Sequence, residues 1–143
     1  MCTGLGGIYA RALMLPDRVR SVITLGSPFA ESPKSTNAWR VYELASGQSV
    51  EAAHGELGGS IEETPPVPTT AIYSRTDGIC WQGCIEKTST RSESIEVKGS
   101  HCGMAVNPAA VFAIADRLSQ PEDAWVPFDR SGWRSFIFPD PAR

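Results

Sequence analysis

Two helical patterns flank three short apolar runs along this chain. From Leu5 to Met14 the apolar positions recur at helical spacing, with Leu5, Ile8 and Ala12 on one stripe and Tyr9 and Leu13 beside it. Pro16 ends that helix, because the residue before a proline is pushed out of helical geometry. Val19 and Val22-Ile23-Thr24-Leu25 follow as a β-branched run closed by Gly26-Ser27-Pro28, which predicts a buried parallel strand. Thr69 to Ser74 and Ser94 to Lys98 predict two more strands, the first stopped by the turn Arg75-Thr76-Asp77-Gly78 and the second by Gly99-Ser100-His101-Cys102-Gly103. Asn107-Pro108 opens a last helix as N-cap and first helical residue. Val111, Ile114, Ala115 and Leu118 supply its expected apolar stripe, and Gln120-Pro121 closes it. Helix, turn and buried strand in succession are half of a βαβ unit, so the expected class is α/β with parallel strands and flanking helices.

Two segments depart from this pattern. Residues 29–68 are small, polar and acidic apart from a short helical pattern over Asn37 to Leu44, with Trp39, Val41, Tyr42 and Leu44 as its apolar surface. An insertion of that length reads as an excursion from the sheet, such as a lid or cap. Residues 122–143 are rich in proline and aromatics and read as an irregular tail. No internal repeat is visible, and the 143 residues fit one domain.

Composition narrows the function classes. The apolar fraction of 41% and charged fraction of 20% are those of a globular protein. A net charge of −3 provides no basic footprint for nucleic acid. No apolar run is long enough to span a bilayer, and no signal peptide is visible at the first residues, which leaves the localisation unassigned. Cys2, Cys80, Cys84 and Cys102, with His54 and His101, lack zinc-site spacing, so no metal is expected. The cysteines read as reduced, partly buried thiols, with a bridge from Cys84 or Cys80 to Cys102 as the alternative.

The chemistry gathers around a glycine-rich opening and two strand ends. Met1-Cys2-Thr3-Gly4-Leu5-Gly6-Gly7 feeds directly into the first helix. Turns of this kind hold a phosphate or a reactive group between a strand and a helix N-terminus. With no strand expected ahead of it, the chain reads as the second half of a larger fold, beginning at its site. A dinucleotide fingerprint does not fit: Tyr9 stands where a small residue is needed, and no acidic residue ends a strand some twenty positions on. No cofactor is expected. Asp77 and His101 follow successive strands, and ligands of open α/β sheets bind at the carboxyl ends of strands. An acid that fixes a histidine's tautomer, with that histidine as general base, is the back half of a nucleophilic triad.

Gly4-Leu5-Gly6-Gly7-Ile8-Tyr9-Ala10-Arg11, Leu25-Gly26-Ser27-Pro28-Phe29, Tyr73-Ser74-Arg75-Thr76-Asp77-Gly78 and Gly99-Ser100-His101-Cys102-Gly103-Met104 together resemble the α/β-hydrolases, nearest to their esterase- and lipase-like members. The resemblance runs from Gly4 to about Phe128. It implies a doubly wound sheet, of which this chain is the C-terminal part, and a Ser-Asp/Glu-His triad that hydrolyses carboxylic esters. By the same resemblance Asp77 is the acid, His101 the base, and the backbone N–H of Leu5 an oxyanion donor. The implied substrate is a small ester or a lipid.

The chain departs from the family at the nucleophile. Aligned through Leu5-Gly6-Gly7, the serine of Gly-x-Ser-x-Gly is Gly4 and its first glycine is Cys2. Cys2 and Thr3 lie nearby but would need a shifted register, and Ser27 follows the first predicted strand and could face the cleft; none occupies the nucleophile's place in the motif. Three expectations follow. One is an ester hydrolase whose elbow lacks its serine. The second is a non-catalytic remnant or partner-binding protein. The third is assembly with a complementing chain or oligomer that supplies the missing strands.

Overall fold

The computed structural model describes residues 2–3, 6–7, 11, 18–29, 64–77, 82–121 and 124–140. Strands β1 (Cys2–Thr3), β2 (Val22–Leu25), β3 (Thr69–Tyr73) and β4 (Ser92–Glu96) form one parallel sheet in the order β1-β2-β3-β4. Helix α1 spans Pro108–Ser119, and a one-turn helix α2 spans Arg134–Ile137. This is the expected α/β class of parallel strands with flanking helices.

Register explains which residues form the core. Leu25, Ile72 and Ile95 stand in one cross-strand row, and all three are buried against Ala110, Ala113 and Ile114 of α1. The neighbouring row on the same face is Ile23, Thr70 and Glu93. Glu93 is buried there because the Arg117 Nη1 of α1 donates to its Oε1 at 2.8 Å, while the Phe128 N–H donates to its Oε2 at 2.8 Å. The opposite face carries Thr24 and, further along, Tyr73, which packs against Cys84 and Ile85. Gly7, helical and buried, lies on that side: a methyl group added to it would meet Thr24 Cγ2 at 3.4 Å. The sheet is thus covered on both faces, as strands that read as continuous apolar runs require.

Four expectations change. A strand does precede the glycine-rich turn: Cys2 and Thr3 pair in parallel with Thr24 and Leu25. Two residues are too few to display a period, so the pattern could not announce them. The last strand begins two residues early, at Ser92 rather than Ser94. Its polar start is buried because each side chain is satisfied: Ser92 Oγ donates to the Lys87 carbonyl, Glu93 holds Arg117, and Ser94 Oγ accepts from the Glu86 N–H at 2.8 Å.

The buried stripe of α1 is Ala110, Ala113, Ile114 and Arg117, not Val111, Ile114, Ala115 and Leu118. Val111 and Leu118 are 50% and 53% exposed. Two alanines let the helix approach the sheet closely, and Arg117 belongs to the inner face once Glu93 neutralises it. The tail at 124–140 is irregular apart from α2, yet it completes the core. Phe128 and Phe138 are buried in edge-to-face contact, their ring centroids 4.8 Å apart.

The expected helix at Leu5 to Met14 is described only at Gly6, Gly7 and Arg11, which are helical. Arg11 and Glu86 form a buried ion pair, with the Arg11 guanidinium 3.9 Å from the centroid of the Phe29 ring. Of the segment 29–68, residues 30–63 lie outside the described residues, and the expected Asn37 to Leu44 helix with them. Cys102 is an exposed free thiol, so no bridge from Cys84 or Cys80 reaches it; Cys84 is buried, and Cys80 lies outside the described residues.

Candidate functional site

Parallel strands present all their carboxyl ends on one side, and three connections leaving that side converge. After β3, a turn closed by the Asp77 N–H donating to the Ser74 carbonyl at 3.1 Å carries Asp77. After β4, the loop 97–103 carries His101 into a 3-10 turn, Met104–Val106, anchored by the buried Met104. That turn delivers the chain to Asn107, whose Oδ1 accepts from the Ala109 N–H at 2.9 Å to cap α1. The Nδ2 of the same side chain donates to the Lys98 carbonyl at 2.7 Å, so the cap also holds the start of the histidine loop.

Asp77 Oδ2 and His101 Nδ1 meet at 2.7 Å. The carboxylate side chain is 1% exposed and the imidazole 27% exposed. A buried acceptor on Nδ1 fixes that nitrogen as the N–H bearer, which directs proton exchange through Nε2.

The end of β2 lies against this pair. Gly26 takes a φ of +57°, a conformation that glycine adopts without steric cost. A Cβ built there would lie 3.4 Å from His101 Nδ1 and 3.5 Å from Asp77 Oδ2, so the bare glycine backs their hydrogen bond. Ser27 follows, 1% exposed, and its Oγ has no hydrogen-bond partner among the described residues. That oxygen lies 2.1 Å from where a Gly7 methyl would be, so Ser27 packs under the helical Gly6-Gly7 segment. Gly4 and Leu5, the expected nucleophile and oxyanion positions, lie outside the described residues. Their flanks are described: Thr3 ends β1, and Gly6 is helical. β1 therefore ends on the same side of the sheet as β2, β3 and β4.

Beside the pair, at the carboxyl end of β4, Glu96 Oε2 lies 3.3 Å from the Tyr73 hydroxyl and 3.2 Å from Arg75 Nε. Burial pushes the Tyr73 phenol above its ordinary range; the Glu96 charge adds to this and Arg75 opposes it. A raised folded-state value means that Tyr73 adds stability below the unfolded phenol's value of about 10, and that this is lost as pH rises through the folded value. Denaturant unfolding across alkaline pH is expected to show a loss of stability that Tyr73→Phe removes. At the surface, Asp129 is held below the usual carboxylate range by hydrogen bonding from Ser131.

Arg75 and Glu96 also line a cleft of about 490 Å³ together with Arg130, Phe138 and Asp140. Asp77 and His101 do not line it. Among the described residues, no group of three or more His, Cys, Asp or Glu side chains is gathered where it could hold a metal. No helix among them is long and apolar enough to cross a membrane.

The sequence pointed to Asp77 and His101, and the structure brings them together. It gave no role to Gly26, Ser74 or Thr76, although all three lie in the motifs that carry the resemblance. The available signal for Gly26 was a glycine placed directly after a β-branched run. No family model matches the chain, and comparison with curated proteins and with solved structures finds no match.

Proposed function

We propose that this chain is the C-terminal part of an α/β-hydrolase fold and carries the acid–base half of a carboxylic-ester hydrolase site. The observation that carries this reading is the 2.7 Å contact of Asp77 with His101 across the carboxyl ends of β3 and β4. Asp77 holds the imidazole by Nδ1 and stabilises the imidazolium. His101 Nε2 takes the proton from the attacking oxygen and returns it to the departing alkoxide. By the motif, the backbone N–H of Leu5 faces the oxyanion, and position 4 is the nucleophile's. Substrates are small or lipidic esters by analogy with the family, the analogy being one of fold and motif.

Glycine at position 4 favours a second reading, a remnant that keeps the fold and binds a partner without turnover. Hydrolysis of p-nitrophenyl acetate separates the two. The hydrolase reading expects a slow rate that His101→Ala lowers by about 10²-fold, the smaller end of what a general base contributes. It expects Asp77→Asn to lower the rate as well. Equal rates for the unmodified chain and His101→Ala would leave the remnant as the function.

A further inference from the structure

The dyad spans two separate loops, and two hydroxyl groups tie those loops together at one residue. Ser74 Oγ donates to the Gly99 carbonyl at 2.7 Å and accepts from the Gly99 N–H at 3.1 Å. Thr76 Oγ1 donates to the same carbonyl at 3.1 Å and shares the same N–H at 3.1 Å. The two hydroxyls lie 2.9 Å apart, and the Thr76 N–H donates to Ser74 Oγ at 3.2 Å. Ser74 is 1% exposed, so its bonds to Gly99 replace water rather than compete with it.

The position of this cluster is what matters. Ser74 accepts the bond that closes the Asp77 turn, and Thr76 immediately precedes Asp77. Gly99 lies two residues before His101, next to Lys98, whose carbonyl is held by Asn107. A Cβ on Gly99 would stand 2.8 Å from Asn107 Nδ2, so a side chain there would push that amide aside. The clasp and the α1 cap therefore hold adjacent residues of the histidine loop, one from each side. Neither hydroxyl touches the imidazole or the carboxylate through any bond described above.

We propose that Ser74 and Thr76 are positioning residues that set the distance between Asp77 and His101 by clasping Gly99. Their functional meaning rests on the hydrolase reading, but the test reads the dyad directly. Because both hydroxyls serve the same two backbone groups, loss of one leaves the other in place, and loss of both frees the loop.

The experiment is nuclear magnetic resonance of the full chain labelled in histidine, following the His101 Nδ1 proton and its exchange with water. The unmodified chain is expected to show a strongly deshielded, slowly exchanging proton. Ser74→Ala and Thr76→Val should each speed its exchange roughly 5-fold, the net worth of about one hydrogen bond. The double variant should exceed the product of the two, at more than about 25-fold, and lose the deshielded signal. Thr76→Ser, which keeps the hydroxyl, should behave as the unmodified chain.

A double variant with a lowered thermal midpoint and an unchanged His101 proton would overturn the proposal. If the double variant does not fold, Ser74→Ala against Thr76→Ser decides: faster exchange only in the first supports the clasp, and equal exchange overturns it. A chain whose His101 proton depends on the clasp but which hydrolyses no ester would contradict the hydrolase reading and leave this inference standing.

Discussion

Gly4→Ser is expected to raise p-nitrophenyl ester turnover by at least about 10²-fold, and to do so only while His101 is present. In a complete serine hydrolase site, loss of the nucleophile costs on the order of 10⁶-fold, and its loss in company with the base costs little more, because the groups act as a unit. Restoring one member to a site that already holds its partners should recover a part of that factor. The partners here are Asp77 and His101 at 2.7 Å, at the same end of the sheet as the end of β1. Residue 4 follows Thr3 of β1 and precedes the helical Gly6, which is the strand-then-helix setting a nucleophile elbow requires. In Gly4→Ser/His101→Ala the gain should vanish. A gain that survives loss of His101 would mean that the introduced serine works without the dyad, contrary to the proposed mechanism.

The second large effect is on stability. Glu93→Ala is expected to destabilise the chain by about 3 kcal/mol, because it removes one of the two carboxylates paired with a buried guanidinium, the other being Asp116. The Arg117 and Glu93 side chains are only 4% and 6% exposed, and Glu93 also accepts the Phe128 N–H. One substitution thus loosens β4, α1 and the tail together. At this chain length the loss should lower the thermal midpoint by on the order of 10 °C. Replacing both partners by apolar residues of similar volume, Glu93→Leu with Arg117→Met, should recover only part of it: the desolvation cost of the ion pair is removed, but the Phe128 N–H loses its acceptor and the Val126 carbonyl loses the Arg117 donor. Calorimetry of the single and double variants checks both statements. A double variant less stable than Glu93→Ala would contradict them.

How legible this molecule is in its sequence depends on how local each signal is. β2 and β3 are β-branched runs ended by turn residues, and both are strands of the sheet. The Asn107-Pro108 start of α1 is equally local, and the structure shows its cap directly. Asp77 and His101 were legible because each follows a strand and parallel strands share their carboxyl ends. What was not legible depends on partners far away in the chain. Ser92 and Glu93 look like loop until Lys87, Arg117 and Phe128 satisfy them. Arg117 looks like the outer face of a helix until Glu93 is across from it. Val111 and Leu118, more apolar than Ala110 and Ala113, drew the expected stripe to the wrong side.

The tail shows the same limit. Its prolines and aromatics point to irregular backbone, and residues 124–140 are irregular apart from α2, but no period tells which of five aromatics will be buried. Phe128 and Phe138 are, while Phe136 is among the most exposed side chains of the described residues. Ser74 reads as the last residue of a strand and Thr76 as an ordinary turn residue, since their bonds to Gly99 join positions 25 and 23 apart.

The central claim is that the Asp77–His101 pair activates an oxygen nucleophile once one is placed at position 4, where this chain has glycine. Labelling of Gly4→Ser with a fluorophosphonate, followed by mass mapping of the modified peptide, tests it most directly. The account predicts one label per chain, located at position 4 and lost when His101→Ala is added. Label at position 4 with equal yield in the presence and absence of His101, or no label at all on a folded chain, would contradict it.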